Sequence, residues 1–70
     1  MMTYGEAVKV AKAITAQTQL PFYVVWKGGA HYVIGPAGVQ RWYGDRWSLE
    51  ACGAILYSVG EPNPLDDQVF

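Results

Sequence analysis

The spacing of apolar positions changes character along the chain. Between Tyr4 and Thr18, steps of about 100° place Tyr4, Ala7, Val8, Ala11, Ile14, Thr15 and Thr18 on one arc, with Lys9, Lys12, Ala13 and Ala16 opposite. Thr3-Tyr-Gly-Glu6 has the form of a capping box, in which the Thr3 hydroxyl accepts from the Glu6 amide and the Glu6 carboxylate returns to the Thr3 amide. The pattern predicts an amphipathic helix from about Thr3 to Thr18, stopped by Pro21. Alanines in its buried stripe allow its axis to lie close to a sheet.

Beyond Pro21 the period shortens. Phe22-Tyr-Val-Val-Trp26 and His31-Tyr-Val-Ile34 are aromatic and β-branched, and Lys27-Gly-Gly-Ala30 between them supplies turn residues, which predicts a β-hairpin. Gly35-Pro-Ala-Gly38 reads as a second turn. It leads to a third strand at Val39-Gln-Arg-Trp-Tyr43, whose alternation would share Val39, Arg41 and Tyr43 on one face. Gly44-Asp45 reverses the chain again. Arg46-Trp-Ser48 reads as a short returning strand before Ser48 opens a helical turn through Cys52. Ala54-Ile-Leu-Tyr-Ser-Val59, bounded by Gly53 and Gly60, is apolar enough for a strand or a buried helix, and strand is favoured. The expected fold is α+β: one N-terminal helix on a three- to four-stranded antiparallel sheet. Residues 1–60 form the single domain and residues 61–70 an irregular acidic tail with two prolines.

Composition narrows the chemistry. With 70 residues, 51% hydrophobic and 16% charged, the chain is a single small domain and too apolar for disorder. One cysteine, Cys52, and one histidine, His31, leave no internal disulfide and no ordinary zinc site, so no cofactor is expected. A core this small relies on dense packing or on self-association, and a homodimer is one expected form. No stretch has the roughly 20 apolar residues of a membrane span, and the N-terminal residues show no secretory pattern. The expectation is therefore a cytoplasmic protein that does not engage membranes.

Five basic residues stand against six acidic ones, and Lys9, Lys12, Lys27, Arg41 and Arg46 are scattered. This weighs against direct nucleic-acid binding, which needs a concentrated basic face. A Cys–His nucleophile pair formed by Cys52 and His31 is disfavoured by their order and by the lack of room for a substrate cleft, so they are expected to be a buried thiol and a strand-end histidine. No catalytic residues are assigned, and the chain is not expected to be an enzyme. Asp66-Asp67 lacks the convergent ligands that a hard cation needs.

The strongest signal is aromatic: three Trp, five Tyr and two Phe in 70 residues exceed what one helix-on-sheet core can bury. Trp42, Tyr43 and Trp47 flank Arg41, Asp45 and Arg46, and Trp, Tyr and Arg dominate binding hot spots. With the acids gathered late in the chain, the candidate partner-binding set is Trp42, Tyr43, Asp45, Trp47, Glu50, Glu61, Asp66 and Asp67, facing a basic protein surface. Cross-strand packing within the sheet is the bland alternative for the rings, and a solvated face is the one for the acids.

In size and build, with a helix running directly into a hairpin over residues 3–34, the chain resembles the small phage-encoded inhibitors called anti-CRISPR proteins. The resemblance transfers no individual residue role. It implies stoichiometric binding to a bacterial CRISPR effector complex, blocking DNA recognition or nuclease recruitment. Two alternatives stay open: a small nucleic-acid-binding or antitoxin-type regulator, and a phage structural or assembly protein.

Overall fold

The computed structural model describes residues 2–61. Helix α1 spans Tyr4–Thr18, and the expected capping box is present at Thr3 and Glu6. Its last turn closes through Gln19, whose left-handed backbone directs its N–H to the Thr15 carbonyl. The predicted arc is buried at its middle. Ala7 and Ala11 are fully enclosed, Val8, Ile14 and Thr15 are half-buried, and Tyr4 and Thr18 are exposed.

Strands β1 (Phe22–Lys27) and β2 (Ala30–Ile34) form the predicted hairpin, and β3 (Ile55–Val59) pairs antiparallel on the other side of β1, giving the order β2-β1-β3. Gly28 and Gly29 both have positive φ, 60° and 84°, as a tight two-residue hairpin turn requires. Alternation along β1 divides the interior. Val24 joins Ala7 and Ala11 under α1, with Phe22, Val33, Tyr57 and Val59 around them. Tyr23 and Val25 face the opposite way and join Ile34 and Val39.

Two segments differ from the predicted arrangement, the first by a whole layer. The segment expected to be a third strand, residues 39–43, belongs to helix α2, Pro36–Tyr43. A strand would put charged Arg41 beside Val39 and Tyr43. The helical spacing i, i+3, i+4 instead turns Val39, Trp42 and Tyr43 onto the core and leaves Arg41 exposed. Pro36 occupies the first turn, where its missing N–H costs nothing. Gly38 is required there: a Cβ would lie 2.8 Å from Ile34 Cβ, so only glycine lets α2 settle against the end of β2.

Arg46-Trp-Ser48 is a turn rather than a strand. The Asp45 carboxylate accepts the Trp47 N–H at 3.2 Å, and this local closure competes with extended backbone. Ser48 caps helix α3, Leu49–Ala54, by accepting from the Ala51 N–H. The chain then passes straight into β3, where Val24 pairs with Tyr57 and Val25 with Ile55, leaving Leu56 as a bulge. The bulge turns Ile55 toward the α2 side while Tyr57 and Val59 face α1, so one short strand contributes to both layers. The fold is thus α+β with a helix on each side of a three-stranded antiparallel sheet. Among the described residues no helix is long and apolar enough to cross a membrane.

Candidate binding face

Helix α2, the 44–48 turn and α3 bring Trp42, Tyr43 and Trp47 together with Arg41, Asp45, Arg46 and Glu50 on the side of the sheet opposite α1. Trp42 and Tyr43 are half-buried and pack against the Tyr23, Val25, Ile34 and Val39 cluster. Trp42 meets the Tyr32 ring edge-to-face, with centroids 5.5 Å apart and planes at 88°. The Lys27 ammonium lies 5.0 Å from the Trp42 ring centre and 5.6 Å from that of Tyr43, within cation–π range. Burial, followed by the nearby Glu50 carboxylate, raises the Tyr43 phenol above its ordinary pKa.

Beside this cluster lies a polar triad. Arg46 grips Glu61 side-on, with Nε to Oε2 at 2.7 Å and Nη2 to Oε1 at 3.0 Å, and the Tyr23 hydroxyl donates to Oε2 at 2.9 Å. The Arg46 guanidinium is stacked between rings, 5.2 Å from Tyr23 and 4.3 Å from Trp47. Desolvation alone would lower the Arg46 pKa, but the hydrogen bond and charge of Glu61 reverse the sign and raise it. Tyr23 is pushed up from 10.0 to about 12, first by burial and then by its bond to Glu61. Bidentate geometry around a partly desolvated arginine makes this a structural clamp between the end of β3 and the 44–48 turn.

The outer part of the face is apolar and acidic. Trp47 is 54% exposed and Leu49 is 94% exposed, with Asp45 and Glu50 exposed beside them in sequence. Of the residues expected to contact a partner, the fold thus presents Asp45, Trp47 and Glu50 outward and turns Trp42 and Tyr43 half inward. Glu61 is engaged with Arg46 and Tyr23, while Asp66 and Asp67 lie outside the described residues. Leu49 and Lys27 escaped sequence reasoning. A leucine at the first position of a capped helix carries no visible sign of facing solvent, and Lys27 reaches Trp42 only because α2 packs back against the hairpin.

The remaining candidates are separated by the fold. Cys52, expected to be buried, is exposed on α3, because the buried position of that short helix is taken by Ala51. His31 lies near the start of β2, its Nδ1 3.3 Å from the Met2 carbonyl and its ring against Tyr4 and Trp26. The two share no hydrogen bond. Among the described residues, no group of His, Cys, Asp and Glu is arranged to hold a metal ion.

No protein family, curated protein or solved structure matches the chain.

Proposed function

We propose that this chain is a non-enzymatic inhibitor that docks its α2–α3 turn on a basic protein surface of a larger nucleic-acid-handling complex, with a bacterial CRISPR effector as the preferred target. The observation that carries this reading is the exposure of Leu49 at 94% and Trp47 at 54% on a backbone pinned by side-chain hydrogen bonds. Large apolar groups held in place rather than free lose little entropy on binding, and tryptophan is the residue type most enriched at energetic hot spots. Asp45 and Glu50 supply a negative rim, which steers association toward positive surfaces and discriminates against acidic ones. The same geometry suits competition with DNA for a basic groove.

The test is capture of purified effector complexes, with and without bound DNA, on the tagged full chain. Stoichiometric retention that excludes DNA supports the proposal. Leu49→Ala and Glu50→Lys should each weaken retention tenfold or more while shifting stability by only about 0.5 kcal/mol, because neither residue is buried. Retention unaffected by both substitutions would remove this face from consideration, and failure to retain any effector would remove the proposed target.

A further inference from the structure

We infer that the cleft between α2 and the end of β2 is a nucleotide site, in which a base lies against Trp42 and a phosphate is held by Arg41. The cleft has a volume of about 270 Å³ and is lined by Ile34, Ala37, Gly38, Arg41 and Trp42. Its openness has a cause in the sequence: Ala37 and Gly38 present almost no side chain, and Gly38 cannot be enlarged without striking Ile34. Ile34 forms an apolar floor and Trp42 an aromatic wall. The guanidinium of Arg41 stands at the exposed rim.

Charge decides the class of occupant. Among the described residues no carboxylate lines the cleft and Arg41 has no ion-pair partner, whereas Arg46 is fully committed to Glu61. Lys27 lies outside this lining, its ammonium 5.0 Å from the centre of the Trp42 ring and 5.6 Å from that of Tyr43. A guanidinium beside an indole in one cleft calls for a ligand with both a π face and an anion. A nucleotide supplies both. An acidic peptide answers the charge but offers Trp42 only aliphatic carbon. One cation supports contact with a single phosphate, not a long backbone track, so for a single strand the salt slope should be about −0.7. The chemistry is the same for a free mononucleotide and for one nucleotide of a single strand.

The experiment is ¹⁵N-edited NMR of the full chain titrated with AMP, with an eight-residue oligothymidylate, with inorganic phosphate and with an eight-residue oligoglutamate. Movement of the Trp42 indole signal and of the Gly38 and Arg41 amides with AMP supports the site. Equal affinity for AMP and oligomer assigns a free mononucleotide, and tenfold or tighter preference for the oligomer assigns a strand. Ala37→Leu fills the cleft from an exposed helical position and should abolish the shifts without loss of fold. Arg41→Gln should weaken binding at least tenfold. Absence of shifts with AMP and oligomer, an equal response to phosphate alone or to oligoglutamate, or undiminished binding by folded Ala37→Leu protein would each overturn the assignment.

Discussion

Replacing Tyr23 with phenylalanine isolates the clamp beneath the 44–48 turn. The Tyr23 hydroxyl donates to Glu61 Oε2 at 2.9 Å from a site only 4% exposed. A hydrogen bond to a charged acceptor contributes about 1.5–3 kcal/mol, so Tyr23→Phe should lose about 2 kcal/mol at pH 8. The pH dependence is the sharper test. Burial and the Glu61 bond push the phenol from 10.0 to about 12, so the folded state favours the neutral form. That contribution is complete below pH 10 and disappears as pH climbs through 12. By proton linkage it falls by about 1.4 kcal/mol at pH 11, toward a limit on the order of 2.7 kcal/mol. Phenylalanine has no proton to lose. The stability gap between the two proteins, about 2 kcal/mol at pH 8, should therefore narrow to about 0.6 kcal/mol at pH 11. Urea unfolding of both proteins across this range measures the gap directly, with Tyr43→Phe as a second reference because its phenol is raised mainly by burial. A gap that stays constant from pH 8 to 11 would refute the coupling between Tyr23 and Glu61.

Other substitutions probe the remaining links between sequence and fold. Thr3→Ala removes the hydroxyl that accepts the Glu6 N–H and should cost about 1 kcal/mol in urea unfolding, with loss of amide protection confined to the first turn of α1. Gly38→Ala would place a methyl 2.8 Å from Ile34 Cβ and should destabilise by about 1–3 kcal/mol, read as a lower urea midpoint. Gly53→Ala is the opposite case. Its Cβ meets nothing within 4 Å inside α3, and thermal melting should show a gain of about 0.5–1 kcal/mol. Val24→Ala empties part of the fully buried centre under α1 and should cost about 2–3 kcal/mol, measured by denaturant titration.

The first half of the fold is legible because its signals are local. Thr3 and Glu6 mark the start of α1 within one turn, and Gly28-Gly29 can join two β-branched segments in few ways. Residues 36–43 are ambiguous for a physical reason. Val39, Arg41 and Tyr43 satisfy a period of two, Val39, Trp42 and Tyr43 satisfy a helical face, and only the cost of burying Arg41 separates the patterns. Pro36 ahead of the segment and Gly44 behind it agree with the helix. For the candidate face, composition identified Asp45, Trp47 and Glu50, but it could not order their exposure. That order depends on which side of the 44–48 turn is occupied by Arg46, and the position of Arg46 follows from Glu61, 15 residues later in the chain.

The same distribution of side chains links stability to binding. Among the described residues the largest side chains completely removed from water are Val24 and Val25, while Trp26, Tyr32, Trp47, Leu49 and Leu56 all retain more than two-fifths of their exposure. A chain of this size with valines at its centre has a narrow stability margin. Its aromatic surface is therefore not surplus core but apolar area that folding leaves available. The outer face is organised by contacts that contribute little as hydrophobic burial and much as positioning: Asp45 to the Trp47 amide, Ser48 to the Ala51 amide, and Arg46 between two rings. A partner that covers Trp47 and Leu49 would add to this small domain an apolar contact comparable in size to its own buried side chains. Any ligand bound only by the folded form stabilises it by mass action, about 2.7 kcal/mol at one hundred times its Kd, which is a large fraction of so narrow a margin. The small core thus makes occupancy of either face visible as stability, with the outer face at Trp47 and Leu49 fixed by polar contacts and the cleft beside α2 fixed by packing.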